Sequence, residues 1–405
     1  MDKPKVVHEL EVSFGTAYGV EEAAALMEVL RNNAPSCGKK VKQFEEAFSN
    51  YCGTEYGLAV TSATTGLTLA GIAAGIGPGD EVISTPISWI STSTAFSALG
   101  AEMVFCDVDP RTLCLDPELL EGRITRKTKA IVPVHLYGQC AAMDQIMEIA
   151  NRHHLTVIED CAHNPGGEYL GVKSGAWGQL GVFSFHQQKN ISTLGEGGFV
   201  TTRSKALFER LLSYRSLCCR IYGESDKYLS IDEEQYPMGK EYWKLQFDDI
   251  GYNFRMTDAQ AAVGLEQLKK LEQHNQQRIA IAQRLTEKLG GIPGLSLPYV
   301  DPKGKHVFHL YVLQLEAEFP LRKADFMWEL YTKKGIKVWS HYMPIHLTAP
   351  YLARGHEEGE CPVAEAAFQK YVSLPIHPRL TDEAVDYMVD AIREISKVSQ
   401  NRCSL

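Results

Sequence analysis

Two side chains in this sequence have the types and spacing that amine–carbonyl chemistry requires. Lys189 lies in Phe183-Ser184-Phe185-His186-Gln187-Gln188-Lys189-Asn190, between a strand-like apolar run and the glycine-rich turn Gly195-Glu196-Gly197-Gly198. Asp160 lies 29 residues earlier and ends the short apolar run of residues 155–160. A lysine amine can hold an aldehyde as a Schiff base, and a carboxylate can keep a pyridine nitrogen protonated so that the ring absorbs electrons. Pyridoxal phosphate chemistry needs both. Each residue alone has a plainer reading, since most lysines are solvated and an Asp at a strand end is commonly a turn or helix cap.

A third feature lies upstream. Residues 56–60 form an apolar strand, Thr61-Ser62-Ala63-Thr64-Thr65-Gly66 a turn of small residues, and the chain from Leu67 reads as a helix. Free backbone N–H groups, the helix dipole and hydroxyls converge at such a junction and make an anion site. Alone it is an ordinary N-cap; beside Asp160 and Lys189 it reads as a phosphate cup. Trp89, in the polar loop that follows the strand Glu81-Val82-Ile83, either stacks on a pyridine ring or covers a helix end.

These residues carry a family likeness. The chain resembles the DegT/StrS family of sugar aminotransferases, within the aspartate-aminotransferase-like fold type I, over nearly its whole length. The likeness runs through Ser62-Ala63-Thr64, Glu159-Asp160-Cys161-Ala162-His163, the Lys189 segment, Gly251-Tyr252-Asn253-Phe254-Arg255-Met256-Thr257-Asp258 and His341-Tyr342-Met343-Pro344-Ile345-His346. Many members have Gly at Ala63 and Gln at His163, and both exchanges occur within the family. The resemblance implies that Lys189 bonds the pyridoxal 5'-phosphate aldehyde and that Asp160 pairs with the pyridinium nitrogen. Trp89 and His163 would contact the ring, and Ser62, Ala63, Thr64 and Ser184 would hold the phosphate. Asn253 would reach that phosphate from a neighbouring subunit, which implies a homodimer with shared active sites. His186, Arg255, His341, Tyr342 and His346 are candidate substrate contacts, although loop histidines are often incidental; Glu196 has no assigned role.

The implied reaction runs in two halves. L-glutamate or L-glutamine leaves its amino group on the cofactor, with the freed Lys189 moving the proton, and the reverse sequence aminates a ketone. Family acceptors are nucleotide-linked keto-sugars, sugar phosphates and keto-cyclitols of antibiotic pathways. Ser184-Phe185-His186 resembles the nucleotide-sugar enzymes and Gln187-Gln188 the cyclitol enzymes. The alternatives are a sugar dehydratase, whose members carry histidine where Lys189 stands; another fold type I chemistry such as decarboxylation or β-elimination; and a non-catalytic pyridoxal-phosphate-binding regulatory protein. The segment between Arg215 and Asp249, with Tyr222, Tyr228, Tyr236, Tyr242 and Trp243, is the expected place for substrate choice.

The elements that must position these groups alternate. Apolar strand-like runs and helical patterns succeed one another from about Tyr56 to Val200, which predicts an α/β fold with a mostly parallel, seven-stranded-type sheet covered by helices on both faces. Asp258 is the expected cap of a long helix bearing Ala262, Val263, Leu265, Leu268 and Leu271 at helical spacing, ended by Gly290-Gly291. Residues 307–315 alternate as a strand of a smaller α+β C-terminal domain. The expected organisation is an N-terminal arm (1–30), a large cofactor domain (31–265) and a small domain (266–405).

Composition suits a large globular enzyme: 405 residues, 44% apolar and 22% charged. A net charge of −9 argues against nucleic acid or an anionic membrane as partner. Ten scattered cysteines without a C-x-x-C fit reduced thiols in a cytoplasm. The N-terminus lacks the apolar core of a signal peptide, and no run is long enough to span a bilayer. Asp107-Val108-Asp109 at a turn reads as a pair of caps, without the further ligands of a calcium or other metal loop.

Overall fold

The computed structural model describes residues 4–12, 15–32, 36–221 and 245–398. Tyr222, Tyr228, Tyr236, Tyr242 and Trp243 lie outside the described residues.

Seven strands form the central sheet: β1 (Tyr56–Val60), β2 (Glu81–Ser84), β3 (Glu102–Phe105), β4 (Thr128–Val132), β5 (Thr156–Asp160), β6 (Leu180–Ser184) and β7 (Gly198–Thr202), in the order β1-β7-β6-β5-β4-β2-β3. Neighbours pair in parallel from β3 to β6, and β7 runs antiparallel between β6 and β1. Helices cover both faces, so the inner strands carry unbroken apolar runs such as Ala130-Ile131-Val132 and Val157-Ile158, fully buried. The carboxyl ends of the parallel strands therefore open together at one edge, where α/β folds bind ligands. Val60, Ser84, Val132, Asp160 and Ser184 are the last residues of those strands.

Behind β6 and β7 sits an aromatic cluster of Phe44, Phe48, Phe183, Phe185 and Phe199, with Phe48 4.8 Å from Phe199 and 5.0 Å from Phe185 between ring centroids. Phe44 and Phe48 belong to α2 (Lys39–Cys52), which follows α1 (Val20–Arg31). Ordering the strand that leads to Lys189 is the structural consequence of this packing.

The helix expected after Thr257 is present, and its cap differs from the expectation. Thr257 is the N-cap, its hydroxyl accepting from Gln260 N at 3.3 Å. The Asp258 carboxylate instead accepts from the amides of Gly38 (2.7 Å) and Val41 (3.1 Å), so it caps α2 and ties two helices together. The helix runs unbroken over Asp258–Leu289 and so passes through the expected boundary at residues 265–266. Its second half, with Ala282, Leu285 and Leu289, joins a separate apolar core built from Tyr311, Leu313, Phe326, Leu330, Val385 and Ile392; residues Val6, Val7 and Leu10 pack there too.

That second core surrounds a small antiparallel sheet of Leu295–Ser296, Tyr311–Leu315 and Tyr371–Leu374. The strand expected over 307–315 begins only at Tyr311. The preceding amides turn away to the central domain, Val307 N to Gly138 O at 2.8 Å and Leu310 N to Tyr137 O at 3.1 Å. The carboxylates of the 107–109 turn accept backbone amides: Asp107 from Val363 and Ala364, Asp109 from Arg111 and Thr112. No described helix is long and apolar enough to cross a membrane.

Candidate active site

One cavity of about 600 Å³ opens at the carboxyl edge of the sheet. Three successive structural events build its floor. At the end of β1, Ser62 caps the helix α3 (Ala63–Ala73): its hydroxyl accepts from Thr65 N at 3.2 Å while Thr65 Oγ1 accepts from Ser62 N at 3.1 Å. The amides of Ala63 and Thr64, the first two of the helix, have no intrahelical acceptor, and both residues line the cavity at the positive end of the helix dipole. Thr64 hydroxyl donates to Ser91 Oγ at 3.0 Å, adding two more hydroxyls to the same corner. Ser184, at the end of β6, supplies another. This close approach depends on Gly198 at the start of β7, where a Cβ would meet Ala63 N at 2.6 Å.

Asp160 ends β5, almost fully buried. Its Oδ2 accepts from Thr92 Oγ1 at 2.7 Å and its Oδ1 from Ala162 N at 3.0 Å. Thr92 has one hydroxyl proton, which goes to Asp160, so Ser88 must donate in the 2.6 Å contact between the two hydroxyls. Burial pushes the Asp160 carboxyl above the usual range, and Thr92, Ala162 and Lys189 oppose that shift. Next door, Glu159 is an internal prop. Its two oxygens accept from the amides of Gly175, Trp177 and Gly178 at 2.8–2.9 Å and from His135 Nε2 at 2.9 Å. His135, Glu159 and Cys161 lie close enough to suggest a metal trio, but His135 Nδ1 already accepts from Ala141 N and the Glu159 oxygens are taken.

Lys189 reaches the same cavity from the turn after β6. Burial pushes its ammonium down to about 8, with the Asp160 carboxylate pulling the other way. The turn is held from behind. Asn190 Nδ2 donates to Asn275 Oδ1 (2.9 Å) and Val307 O (3.1 Å), and Gly15 lies so close that a Cβ there would meet Gln188 C at 2.5 Å. Gly15 O in turn accepts from the fully buried Arg278, whose guanidinium also binds the carbonyls of Phe308, His309 and Ile376.

His163 is buried with its ring 4.4 Å from His309 and 5.8 Å from Tyr342. Burial and the nearby Lys189 charge hold it far below the usual imidazole range. Its Nδ1 accepts from Tyr137 N, so the single proton of the neutral ring sits on Nε2 and is donated to Tyr342 Oη at 3.1 Å. The 341–342 segment is fastened by Tyr137 hydroxyl on His341 O and Tyr371 hydroxyl on Tyr342 O, and by His341 Nδ1 with Ser373 Oγ at 2.8 Å. His341 is lowered to about 3, first by burial and then by Lys189. Trp89, 60% exposed, stands edge-on to Tyr342. Its exposure fits a ring offered to a ligand better than a helix cover.

Of the residues expected at the site, Ser62, Ala63, Thr64, Trp89, Asp160 and His163 line this cavity, as do Ser184, His186, Lys189, His341 and Tyr342. Three do not. His346, expected as a substrate contact, is fully buried on the far side of its loop with Nε2 2.8 Å from Glu365, because the chain turns into a 3-10 segment after Pro344. Arg255 pairs through its backbone with Val60 and stays outside the cavity. Asn253 is exposed and does not line the cavity of its own chain, and the resemblance assigns it to the phosphate of a neighbouring subunit. The residues missed are Thr92 and Ser88, which support Asp160, together with Lys337, Trp339 and Glu196 in the wall. Only the run of hydroxyls around Trp89 hinted at the first pair.

The donor set suits pyridoxal phosphate: helix-end amides and four hydroxyls for a phosphate, a supported carboxylate for a pyridinium, and an amine of lowered pKa for an aldehyde. The cavity volume is in the range of small-molecule sites.

The profile of the DegT/DnrJ/EryC1/StrS aminotransferase family matches residues 17–393. The chain is 37% identical to the spore coat polysaccharide biosynthesis protein SpsC of Bacillus subtilis, over 94% of this chain and 95% of that one. It is 36% identical to the GDP-perosamine synthase of Caulobacter vibrioides, over 89% and 91%. The crystal structure of DesV from S. venezuelae, in complex with a ketimine intermediate, superposes with a TM-score of 0.83 at 34% identity, covering 93% of this chain and 95% of DesV.

Proposed function

Because the chain belongs to the DegT/DnrJ/EryC1/StrS aminotransferase family, and is a pyridoxal-phosphate-dependent sugar aminotransferase, we propose that it transfers the amino group of L-glutamate or L-glutamine to a nucleotide-linked keto-sugar. The observation that carries this reading is the convergence in one cavity of Lys189, the supported Asp160 carboxylate and the N-terminus of α3. The name of the GDP-perosamine synthase relative supports a nucleotide-linked acceptor over a free sugar or a keto-cyclitol.

Pyridoxal phosphate, when bound, supplies an aldehyde and a ring that delocalises an electron pair. Lys189 would anchor it, Asp160 would hold a proton on the ring nitrogen, and the α3 amides with Ser62, Ala63, Thr64 and Ser184 would hold the phosphate. Trp89 and His163 would flank the ring. Burial lowers the Lys189 ammonium to about 8 and so favours the neutral amine, which would take a proton from the donor's α-carbon in one half-reaction and deliver one to the aminated carbon in the other. Thr92 and Ala162 donate to Asp160 and so favour its ionised form. His163 and His341 are neutral and contribute no competing positive charge.

A homodimer with shared sites is part of this reading. Shortly before Asn253 the chain exposes the large apolar side chains of Phe247 (59% exposed) and Ile250 (87%) among polar neighbours, which a subunit contact would cover. A cytoplasmic setting is consistent with the nine buried free cysteines among the described residues.

The test is the absorbance spectrum of the cofactor-loaded protein before and after L-glutamate or L-glutamine, followed by GDP- and dTDP-linked keto-hexoses, their unphosphorylated counterparts and keto-cyclitols. A spectral change with donor, reversed by a nucleotide-linked ketone alone, supports the proposal. Reversal only by a cyclitol or free sugar overturns the acceptor assignment, and no response to either donor overturns the donor assignment.

A further inference from the structure

One wall of the cavity carries a charge that the reaction as described does not use. Among the described residues lining the cavity, the cations are Lys189 and Lys337. Lys189 is committed to amine chemistry, and the lining histidines 163, 186 and 341 are all held below their ordinary range by burial. Both substrates of a sugar aminotransferase bring oxyanions: the α-carboxylate of the amino donor and the phosphates of a nucleotide-linked acceptor. Burying an oxyanion without a counter-charge is costly.

Lys337 already has a partner within the chain. Its ammonium pairs with the Glu11 carboxylate, and both side chains are only partly exposed. Backbone pairing brings the two together: residues 7–12 of the N-terminal arm run beside 335–337, with Val7 N on Gly335 O (3.1 Å), Lys337 N on Leu10 O (2.8 Å) and Val12 N on Lys337 O (3.2 Å). The same extended segment continues to Trp339, 53% exposed at the cavity and fixed on its other side by two hydrogen bonds with Ser373. A cation and an indole two residues on therefore share one patch of cavity wall, and the arm brings a carboxylate to that cation.

We propose that Lys337 is a substrate oxyanion subsite and that Glu11 is the internal anion that occupies it until substrate exchanges for it. The subsite takes a carboxylate or a phosphate oxygen, and Trp339 offers an apolar face to the part of the substrate beyond that group. The proposal rests on the aminotransferase reading above.

The two residues have opposite expected effects. Replacing Lys337 with Met keeps the stem and removes the charge, so the KM of the substrate that uses the subsite rises roughly ten- to hundredfold with little change in kcat. Glu11→Gln removes the competitor while leaving the arm's backbone pairing in place, so the same KM falls about two- to fivefold. The experiment uses the cofactor-loaded full-length protein. The donor half is followed spectroscopically with L-glutamate alone and the acceptor half with a GDP- or dTDP-linked keto-hexose, while calorimetry reports GDP and dTDP binding. Opposite shifts confined to the donor half identify a carboxylate subsite. Opposite shifts in the acceptor half and in nucleotide affinity identify a phosphate subsite. No shift in either half, or the same direction of shift for both variants, overturns the proposal. If the Lys337 variant does not fold, Glu11→Gln alone decides through the sign of its effect. Wild-type protein that fails to transaminate overturns the functional reading instead, and nucleotide affinity still reports on the subsite.

Discussion

Removing the Thr92 hydroxyl tests the support of Asp160 with a single group of atoms. In Thr92→Val the shape of the side chain is kept, the 2.7 Å bond to a buried carboxylate oxygen is lost, and the Ser88 hydroxyl that donates to Thr92 loses its acceptor. A hydrogen bond to a charged group contributes about 1.5–3 kcal/mol. At 1.36 kcal/mol per unit, that raises the Asp160 pKa by roughly one to two units beyond the rise burial already causes. A carboxyl that is more readily protonated pairs less well with a pyridinium. The expected result is a rise of about ten- to hundredfold in the cofactor dissociation constant at pH 7, with the acid limb of cofactor binding displaced toward higher pH. Titration of apo-protein with pyridoxal phosphate across pH 5–9, followed by absorbance, gives both numbers. Thr92→Ser keeps the hydroxyl and is the control, expected within about threefold of wild type. Wild-type affinity in the valine variant, or equal damage in the serine variant, would refute the argument, because the first denies the hydrogen bond and the second assigns the effect to packing.

Three further outcomes are expected. In apo-protein, acylation of Lys189 by a lysine-reactive reagent, read by peptide mass spectrometry, has its midpoint near pH 8; Asp160→Asn moves it to lower pH, since the carboxylate favours the ammonium, and a midpoint common to all lysines would contradict the burial effect. Gly198→Ala forces a methyl against the start of α3 and costs about 1–3 kcal/mol of overpacking, with weaker cofactor binding; an unchanged denaturation midpoint and affinity count against the close approach. Glu159→Gln turns an N–H₂ toward amides that now donate to a carboxylate, costing about 1–3 kcal/mol for each orphaned donor, and urea denaturation that superimposes on wild type would show the prop to be dispensable.

The family and the parallel sheet were legible because both rest on local patterns. A buried parallel strand is an unbroken apolar run, and the strand ends at Val60, Asp160 and Ser184 are where ligands gather in such a sheet. What could not be read was contact across the chain. Thr92 supports a residue 68 positions away from a helix of only seven residues, and its hydroxyl differs in no local way from those of its neighbours. His341 and His346 share one loop, yet the turn after Pro344 sends the first toward the cavity and the second toward Glu365. The capping carboxylate of Asp258 was expected on its own helix because a cap usually acts locally, whereas it serves a helix more than 200 residues earlier. The antiparallel direction of β7 was not specified by the expectation of a mostly parallel sheet.

Gly15 gives the first residues of the chain a bearing on experimental design. The turn that presents Lys189 rests on the Gly15 backbone, which Arg278 fixes to three other carbonyls. Removing the first fifteen residues alone would therefore take away the surface beneath the lysine while leaving every cavity-lining side chain from Ser62 to Tyr342 in the sequence. Such a shortened protein could retain a cooperative melting transition and still present its amine from the wrong place, so cofactor uptake, rather than thermal stability, is the criterion by which truncations and N-terminal fusions should be judged.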